Sequence, residues 1–143
     1  MLFDESTKRT RAFLLPPDAY DADETSAAFD IGQASACGIV IGVGEGGITF
    51  NGTNKVEFKL QHSDNGSDFS AVALEHVKGV SAVGTGGIVR ALTAAHATPS
   101  VVEVGYIGGK RYLRMFTDFS GTHGTATPMF VMAIRGRLLS IDA

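Results

Sequence analysis

The chain has little of what catalytic, metal-binding or secreted proteins usually need. It has one cysteine, no tryptophan and four histidines in 143 residues. A single cysteine cannot form an internal disulfide, and Cys37 stands in the apolar run CGIVIG, which predicts a small buried hydrophobe. The histidines show no HxH or HxxxH spacing, so we predict no zinc site and interpret each as a loop or strand-surface residue: His62, His76, His96 and His123.

Long apolar runs and a basic surface are also missing. No apolar run approaches the roughly 18 residues that cross a bilayer, and the N-terminus is charged, so we expect no membrane partner, no signal peptide and synthesis in a reducing cytoplasm. Formal net charge is −3, and residues 1–26 hold six acids and three bases, which leaves nine of each in the remainder. Nucleic acid is therefore not an expected partner, because phosphate binding needs concentrated positive charge.

Two motifs resemble binding loops, but their contexts are poor. Gly42, Gly44 and Gly47 spell GxGxxG, yet the β-like run ITFNGTN follows them where a dinucleotide site needs a helix. The oxygen-rich turn HSDNGSD could hold calcium, but it lacks the longer ligand series of an EF-hand, and Asp and Asn are common turn formers. No serine stands in a nucleophile motif. We therefore predict no cofactor and no enzymatic activity.

What the chain does contain is a series of short alternating segments separated by turn residues. These predict strands near 27–32, 36–43, 47–50, 55–61, 69–76, 87–93, 101–107, 110–117 and 128–139. That number of short strands indicates an all-β domain, an antiparallel β-sandwich or jelly roll. The runs ACGIVIGV and PMFVMAI are apolar on both faces, so their strands should be central or covered by another subunit.

Two hairpins are predicted in detail. The segment VVEVGYIGGKRYLRMFT has a Gly108-Gly109 pair suited to a two-residue turn. Its register would place three pairs opposite each other: Val104 with Leu113, Val102 with Met115, and Glu103 with Arg114. In the second hairpin a three-residue loop, Asp64 to Gly66, would place Phe58 opposite Val72 and Val56 opposite Leu74.

Residues 1–26 differ from the rest, and we predict an extended N-terminal arm beside a sandwich of residues 27–143. The arm is acidic, contains Pro16-Pro17 and carries one apolar patch, FLLPP, which would bury against another surface. The remaining basic concentration, Lys110, Arg111 and Arg114 with Arg135 and Arg137, could meet an acidic partner. Candidate contacts with a partner are therefore Phe13, Leu14, Leu15, Pro16, Pro17, Lys110, Arg111, Arg114, Arg135 and Arg137.

The blocks VEFKLQHSDNGSDFSAV, VEVGYIGGKRYLRMF, SGTHG and PMFVMAIRG resemble those of small β-rich virion proteins encoded among the head genes of tailed bacteriophages and prophages. The resemblance covers about residues 55–138 and implies a capsid decoration (cement) protein. Such a protein binds the major capsid protein on the capsid exterior as a homotrimer and bridges adjacent capsomers. It offers no catalytic residue to transfer.

Two alternatives stay open. The HSDNGS hairpin and the KRYLR strand also resemble discoidin-like jelly rolls that bind carbohydrate, although the chain has no tryptophan and only three tyrosines for sugar platforms. A phage tail or head-completion protein would share the fold and differ in location and copy number.

Overall fold

The computed structural model describes residues 9–32, 34 and 36–136, which form a sandwich of two antiparallel sheets. The strands are β1 (Arg9–Tyr20), β2 (Glu24–Thr25), β3 (Phe29–Asp30), β4 (Ala36–Val43), β5 (Lys55–Ser63), β6 (Ser70–Ala71), β7 (Val77–Lys78), β8 (Ile88–Leu92), β9 (Ser100–Tyr106), β10 (Tyr112–Ser120) and β11 (Thr127–Gly136). The first sheet has the order β1-β11-β4-β9-β7. The second has the order β2-β10-β5-β6, with β3 also paired to β10 and β8 to β5. The predicted all-β sandwich is confirmed.

The core fills the space between the two sheets, and alternation along each strand decides which residues enter it. The first sheet contributes inward side chains such as Ile39, Ile41 and Val131, all fully buried. The second sheet contributes Phe58 and Leu113, also fully buried. At one end, the guanidinium of Arg90 on β8 reaches the first sheet, where it donates to the carbonyl of Ile41 and to the hydroxyl of Ser100.

Residues Arg9–Tyr20 of the expected arm lie within the sandwich, because β1 is the edge strand paired to β11. Phe13 is opposite Met132 and Leu15 is opposite Val131, so the β1 side holds one extra residue at that point. This β-bulge turns two consecutive side chains, Leu14 and Leu15, into the core. A second irregularity lies at the two prolines, which an edge strand tolerates since one side of its backbone needs no partner.

The first predicted hairpin is wrong. Strand β9 pairs with β4 and β7 in the first sheet, whereas β10 pairs with β5 in the second. Residues 107–111 therefore cross from one sheet to the other instead of closing a turn within one. The expected pair of Glu103 and Arg114 does not form, because these residues lie on the outer surfaces of opposite sheets.

The second predicted hairpin exists, but its register is shifted by two residues. Gln61 is opposite Ala71 and His62 is opposite Ser70, so the loop is longer than the predicted three residues. A shift of two keeps each side chain on its predicted face, and Val72 is buried as expected. The predicted strand 69–76 ends early in a 3₁₀ turn, Leu74–His76, and Leu74 is 49% exposed rather than in the core.

Most of the remaining strand predictions match within a few residues, although only Phe29–Asp30 of the predicted strand 27–32 is a strand. Residues 47–50 form no strand, although Phe50 is buried. Strand β11 is central, between β1 and β4, as one of the two predictions for the PMFVMAI run requires. Positions 137–139 of that predicted strand lie outside the described residues.

The bulge predicts that neighbouring apolar residues of β1 differ sharply in their effect on stability. Replacing the buried Leu15 with alanine should lower the free energy of unfolding by about 2–5 kcal/mol, since it leaves a cavity in the core. The same change at Phe13, which is 52% exposed, should lower it by less than about 1.5 kcal/mol. Urea denaturation measures both values. Equal losses at the two positions would contradict the bulged register.

Candidate docking surface

The structure divides the predicted FLLPP contact patch into two groups. Leu14 and Leu15 are 6% and 3% exposed and pack in the chain's own core, so they offer nothing to a partner. Phe13, Pro16 and Pro17 are exposed along the margin of β1. Only this second group remains a candidate for contact with another molecule.

Phe13 belongs to a larger surface, the outer side of the first sheet. Strands β1, β11, β4 and β9 all place apolar side chains there, and the set comprises Phe13, Val40, Val101, Phe130, Met132 and Ile134. We call this set the apolar face. The rings of Phe13 and Phe130 meet edge to face with their centroids 6.3 Å apart, and Val101 is 67% exposed. A contiguous apolar surface of this kind is typical of an interaction site.

Glycines on β4 keep the apolar face flat. A Cβ at Gly42 would overlap the ring of Phe130, so the absence of a side chain lets that ring lie against the sheet. A Cβ at Gly38 would stand 3.2 Å from Oε1 of Glu103, whose side chain thus extends across β4. A groove of about 400 Å³ continues the surface at one end, where Phe130 and Val101 are among its lining residues.

The outer side of the second sheet is different, because its charges are paired within the chain. The ammonium of Lys59 lies 2.7 Å from Asp118 and above the ring of Phe116. Arg114 donates to the side chain of Gln61 at 2.6 Å and stacks over Phe69, with its guanidinium carbon 4.3 Å from the ring centroid. Arg114 is therefore held against Gln61 and Phe69 of its own chain.

Two further predicted basic residues also meet within the chain. Arg111 donates twice to the carboxylate of Asp30, at 2.9 and 3.0 Å, and Arg135 donates to the Asp30 carbonyl at 2.8 Å. The hydrogen bond from Arg111 lowers the pKa of the Asp30 carboxyl.

Lys110 lies in the segment 107–111 that crosses between the sheets, and its ammonium is 3.4 Å from the carboxylate of Asp64. A cleft of about 350 Å³ is lined in part by Lys110 and Arg111, but their charges already have carboxylate partners. Arg137 lies outside the described residues.

A buried histidine fixes the loop that joins the two sheets. His62 is 2% exposed, and its Nδ1 lies 2.7 Å from the hydroxyl of Tyr106. That hydroxyl oxygen also accepts a hydrogen bond from the backbone N–H of Lys110, so its proton is available to a neutral imidazole. Desolvation and the nearby charges of His76 and Lys110 lower the pKa of His62. The prediction of a surface histidine is wrong here, and the signal that could have corrected it is the inward alternation of Val56, Phe58 and Leu60, which His62 continues.

The weaker motifs behave as turns and core. The GxGxxG segment begins at Gly42 on β4, continues through the loop that precedes β5, and leads into no helix. In the Ser63–Asp68 turn, the side-chain oxygen of Asn65 accepts from the backbone N–H groups of Ser67 and Asp68. Burial raises the pKa of Cys37 to about 12, as suits a buried hydrophobe. Across the described ranges there is no cluster of metal-ligating side chains and no helix long and apolar enough to cross a membrane.

His62 predicts a loss of stability in mild acid. Its pKa in the folded chain is below the ordinary value of 6.5, so the unfolded chain binds the extra proton as pH falls through that value. Stability from the neutral imidazole is therefore complete above about pH 6.5 and decreases below it. In His62→Gln, which can still bond Tyr106 but does not titrate, the free energy of unfolding should decrease less between pH 7 and pH 5.5, about the range in which histidine titrates. Identical pH profiles for both proteins would show that His62 is not held neutral.

Comparisons with known proteins leave the chain without an assigned family. No family model and no curated relative matches it. Among solved structures, a protein from the disulfide-linked pili of Bacillus endospore appendages is similar to 96% of this chain and covers 97% of its own length, with 16% identity and a TM-score of 0.31. Values this low establish neither a shared fold nor a shared function. What the structure shows is an all-β sandwich whose first sheet has a partly exposed apolar outer face.

Proposed function

We propose that this chain is a non-enzymatic structural protein of a bacteriophage virion, a capsid decoration protein. It would lie on the capsid exterior as a homotrimer, bind the major capsid protein and stabilise the head. The resemblance of the blocks VEFKLQHSDNGSDFSAV, VEVGYIGGKRYLRMF, SGTHG and PMFVMAIRG to those of small virion proteins motivates this assignment. The observation that carries it is the apolar face, which presents apolar side chains from four strands of one rigid sheet.

Cementing requires a surface for contact on a scaffold that does not deform. The apolar face meets the first requirement, because apolar area removed from water on contact is stabilising at about 25 cal/mol per Å². The sandwich meets the second, since the strands of the face are paired along much of their length. Contacts that are weak singly become strong when symmetry repeats them over a shell.

Exposed residues of β1 would complete the contact with the shell. Phe13 belongs to the apolar face, and Pro16 and Pro17 lie along the margin of the sandwich. Because β1 is paired to β11, these residues are already ordered before any contact. We therefore retain these three residues of the predicted contact set.

The proposal predicts binding to undecorated heads. Purified protein added to heads of the phage or prophage that carries the gene should sediment with them and saturate at a fixed number of copies per capsomer. Met132→Asp, which places a charge in the middle of the apolar face, should weaken this binding by about tenfold or more, because avidity multiplies the loss at each contact.

The matched control is Ser67→Asp, which adds the same charge in an exposed turn and should bind like the wild type. Circular dichroism shows whether both variants are folded. No sedimentation with heads, together with retention on a glycan array, would favour the carbohydrate-binding alternative and reject the decoration role.

A further inference from the structure

The groove of about 400 Å³ at one end of the apolar face has rigid apolar walls. Three of the four prolines of the chain line it, namely Pro17, Pro99 and Pro128. Because a proline ring fixes its own backbone angle, these walls lose little conformational entropy when another molecule fills the groove. Gly44 leaves room beside Pro128, since a Cβ at Gly44 would stand 3.2 Å from the Cβ of that proline. The groove is therefore formed before any partner binds.

The size of the groove suits one large side chain. Ligand sites commonly measure roughly 300–1,000 Å³, so a groove of about 400 Å³ is near the lower limit. Phe130 and Val101 belong both to its lining and to the apolar face. A partner that covers the apolar face can therefore insert one residue into the groove. In protein interfaces such inserted residues are often aromatic and supply much of the binding energy.

The charge at the groove favours a cation in the partner. Within the described residues, Asp18 is the one charged residue of the lining, and it is exposed. Its carboxylate accepts a hydrogen bond from the backbone N–H of Ala19 but belongs to no ion pair of the described chain. Arg90 donates to the hydroxyl of Ser100, another lining residue. It does so from between the sheets, because it lies opposite the buried Phe58.

Exposed basic residues of the first sheet lie at the other end of its outer side. Arg11 and Lys78 are in the row of the sheet that contains Gly38. The groove contains Gly42, which is four residues further along β4, or about 13 Å away. These two basic residues are therefore too far away to neutralise Asp18, and the groove end of the sheet remains acidic.

We propose that the groove binds an aromatic side chain of the partner protein, next to a lysine or arginine that meets Asp18. The aromatic ring would be enclosed between the proline walls, and the neighbouring cation would lie at the rim. In the proposed decoration role this partner is the major capsid protein, and to that extent the inference rests on the proposed function. The groove can nevertheless be tested without a capsid, because a short peptide carries both the ring and the cation.

Capped dipeptides test the groove in the full chain. N-acetyl-Phe-Lys-amide should shift the amide resonances of Gly42, Gly44 and Val101 in ¹H–¹⁵N NMR spectra at low salt, with saturation in the millimolar range. N-acetyl-Phe-Glu-amide should bind about threefold or more weakly, because Asp18 then faces a like charge. N-acetyl-Ala-Lys-amide should cause no saturable shift, since it has no ring to fill the groove.

Exchange of the charge gives the matched variant. Asp18→Lys should reverse the preference, so that the Phe-Glu peptide binds about twofold or more tightly than the Phe-Lys peptide. Glu75→Lys makes the same change of net charge at a side chain that is 80% exposed, beside β7 and the opposite end of β9, and should keep the wild-type preference. Circular dichroism shows whether both variants are folded.

Three results would overturn the proposal. These are resonances that no peptide moves, saturable shifts that map to another surface, and equal affinity of the wild type for the Phe-Lys and Phe-Glu peptides.

The groove and the decoration role can fail separately. Val101→Ala removes part of the groove wall and Asp18→Lys reverses its charge, so each should weaken sedimentation with heads by about threefold or more. Ile107→Ala, at another exposed apolar residue outside this groove, should bind heads like the wild type. Peptide binding in the groove without binding to heads would reject the decoration role alone. Heads that bind Val101→Ala and Asp18→Lys like the wild type would reject the groove as the contact.

Discussion

Strand β11 is hydrogen-bonded along both edges and apolar on both faces, and the rest of the molecule is arranged around that constraint. Its inner side chains, such as Val131 and Ala133, are fully buried against the second sheet. Its outer side chains have no third layer to cover them within the described chain. The neighbouring strands extend this outer surface instead of interrupting it, because Phe13 and Val40 face the same way as Met132. A single domain of two sheets can bury only one side of such a strand, which is why the other side is the natural place for a partner.

Alternation in the sequence predicts inward faces well and strand partners poorly. Val104, Leu113 and Met115 are buried as expected, yet their strands belong to opposite sheets. Two strands of one hairpin and two strands facing each other across a sandwich bury alternate residues in the same way, so periodicity alone cannot separate the two arrangements. A Gly-Gly pair is equally suited to a crossing loop, where Gly109 has a positive φ of 77°. In the second hairpin the register differs from the prediction by two residues, and a shift of two leaves each side chain on the same face of the sheet.

The candidate surface was predictable in part. The doubly apolar run PMFVMAI indicates that β11 is central or covered, and the structure places it centrally with a half-exposed outer side. The bulge that buries Leu14 and Leu15 depends on pairing with Val131 and Met132, which are more than 100 residues away in the chain. Of the predicted basic group, Arg111 and Arg135 do lie close together, because both donate hydrogen bonds to Asp30. Both partners, the carboxylate and the carbonyl of Asp30, belong to β3. No local sequence pattern links β3 to these arginines, so the contacts can be identified only from the fold.

Thiol labelling tests most directly whether the apolar face is an interface. The one native thiol, Cys37, is buried and has a pKa of about 12, so a cysteine introduced at the surface is the group that reacts. Val101→Cys places it on the apolar face, and Leu74→Cys places it on the exposed 3₁₀ turn. The labelling rate of Val101→Cys should fall when undecorated heads are added in excess, while that of Leu74→Cys stays constant. Rates unchanged by heads at both positions would show that the apolar face remains in solvent and would contradict its role as the contact surface.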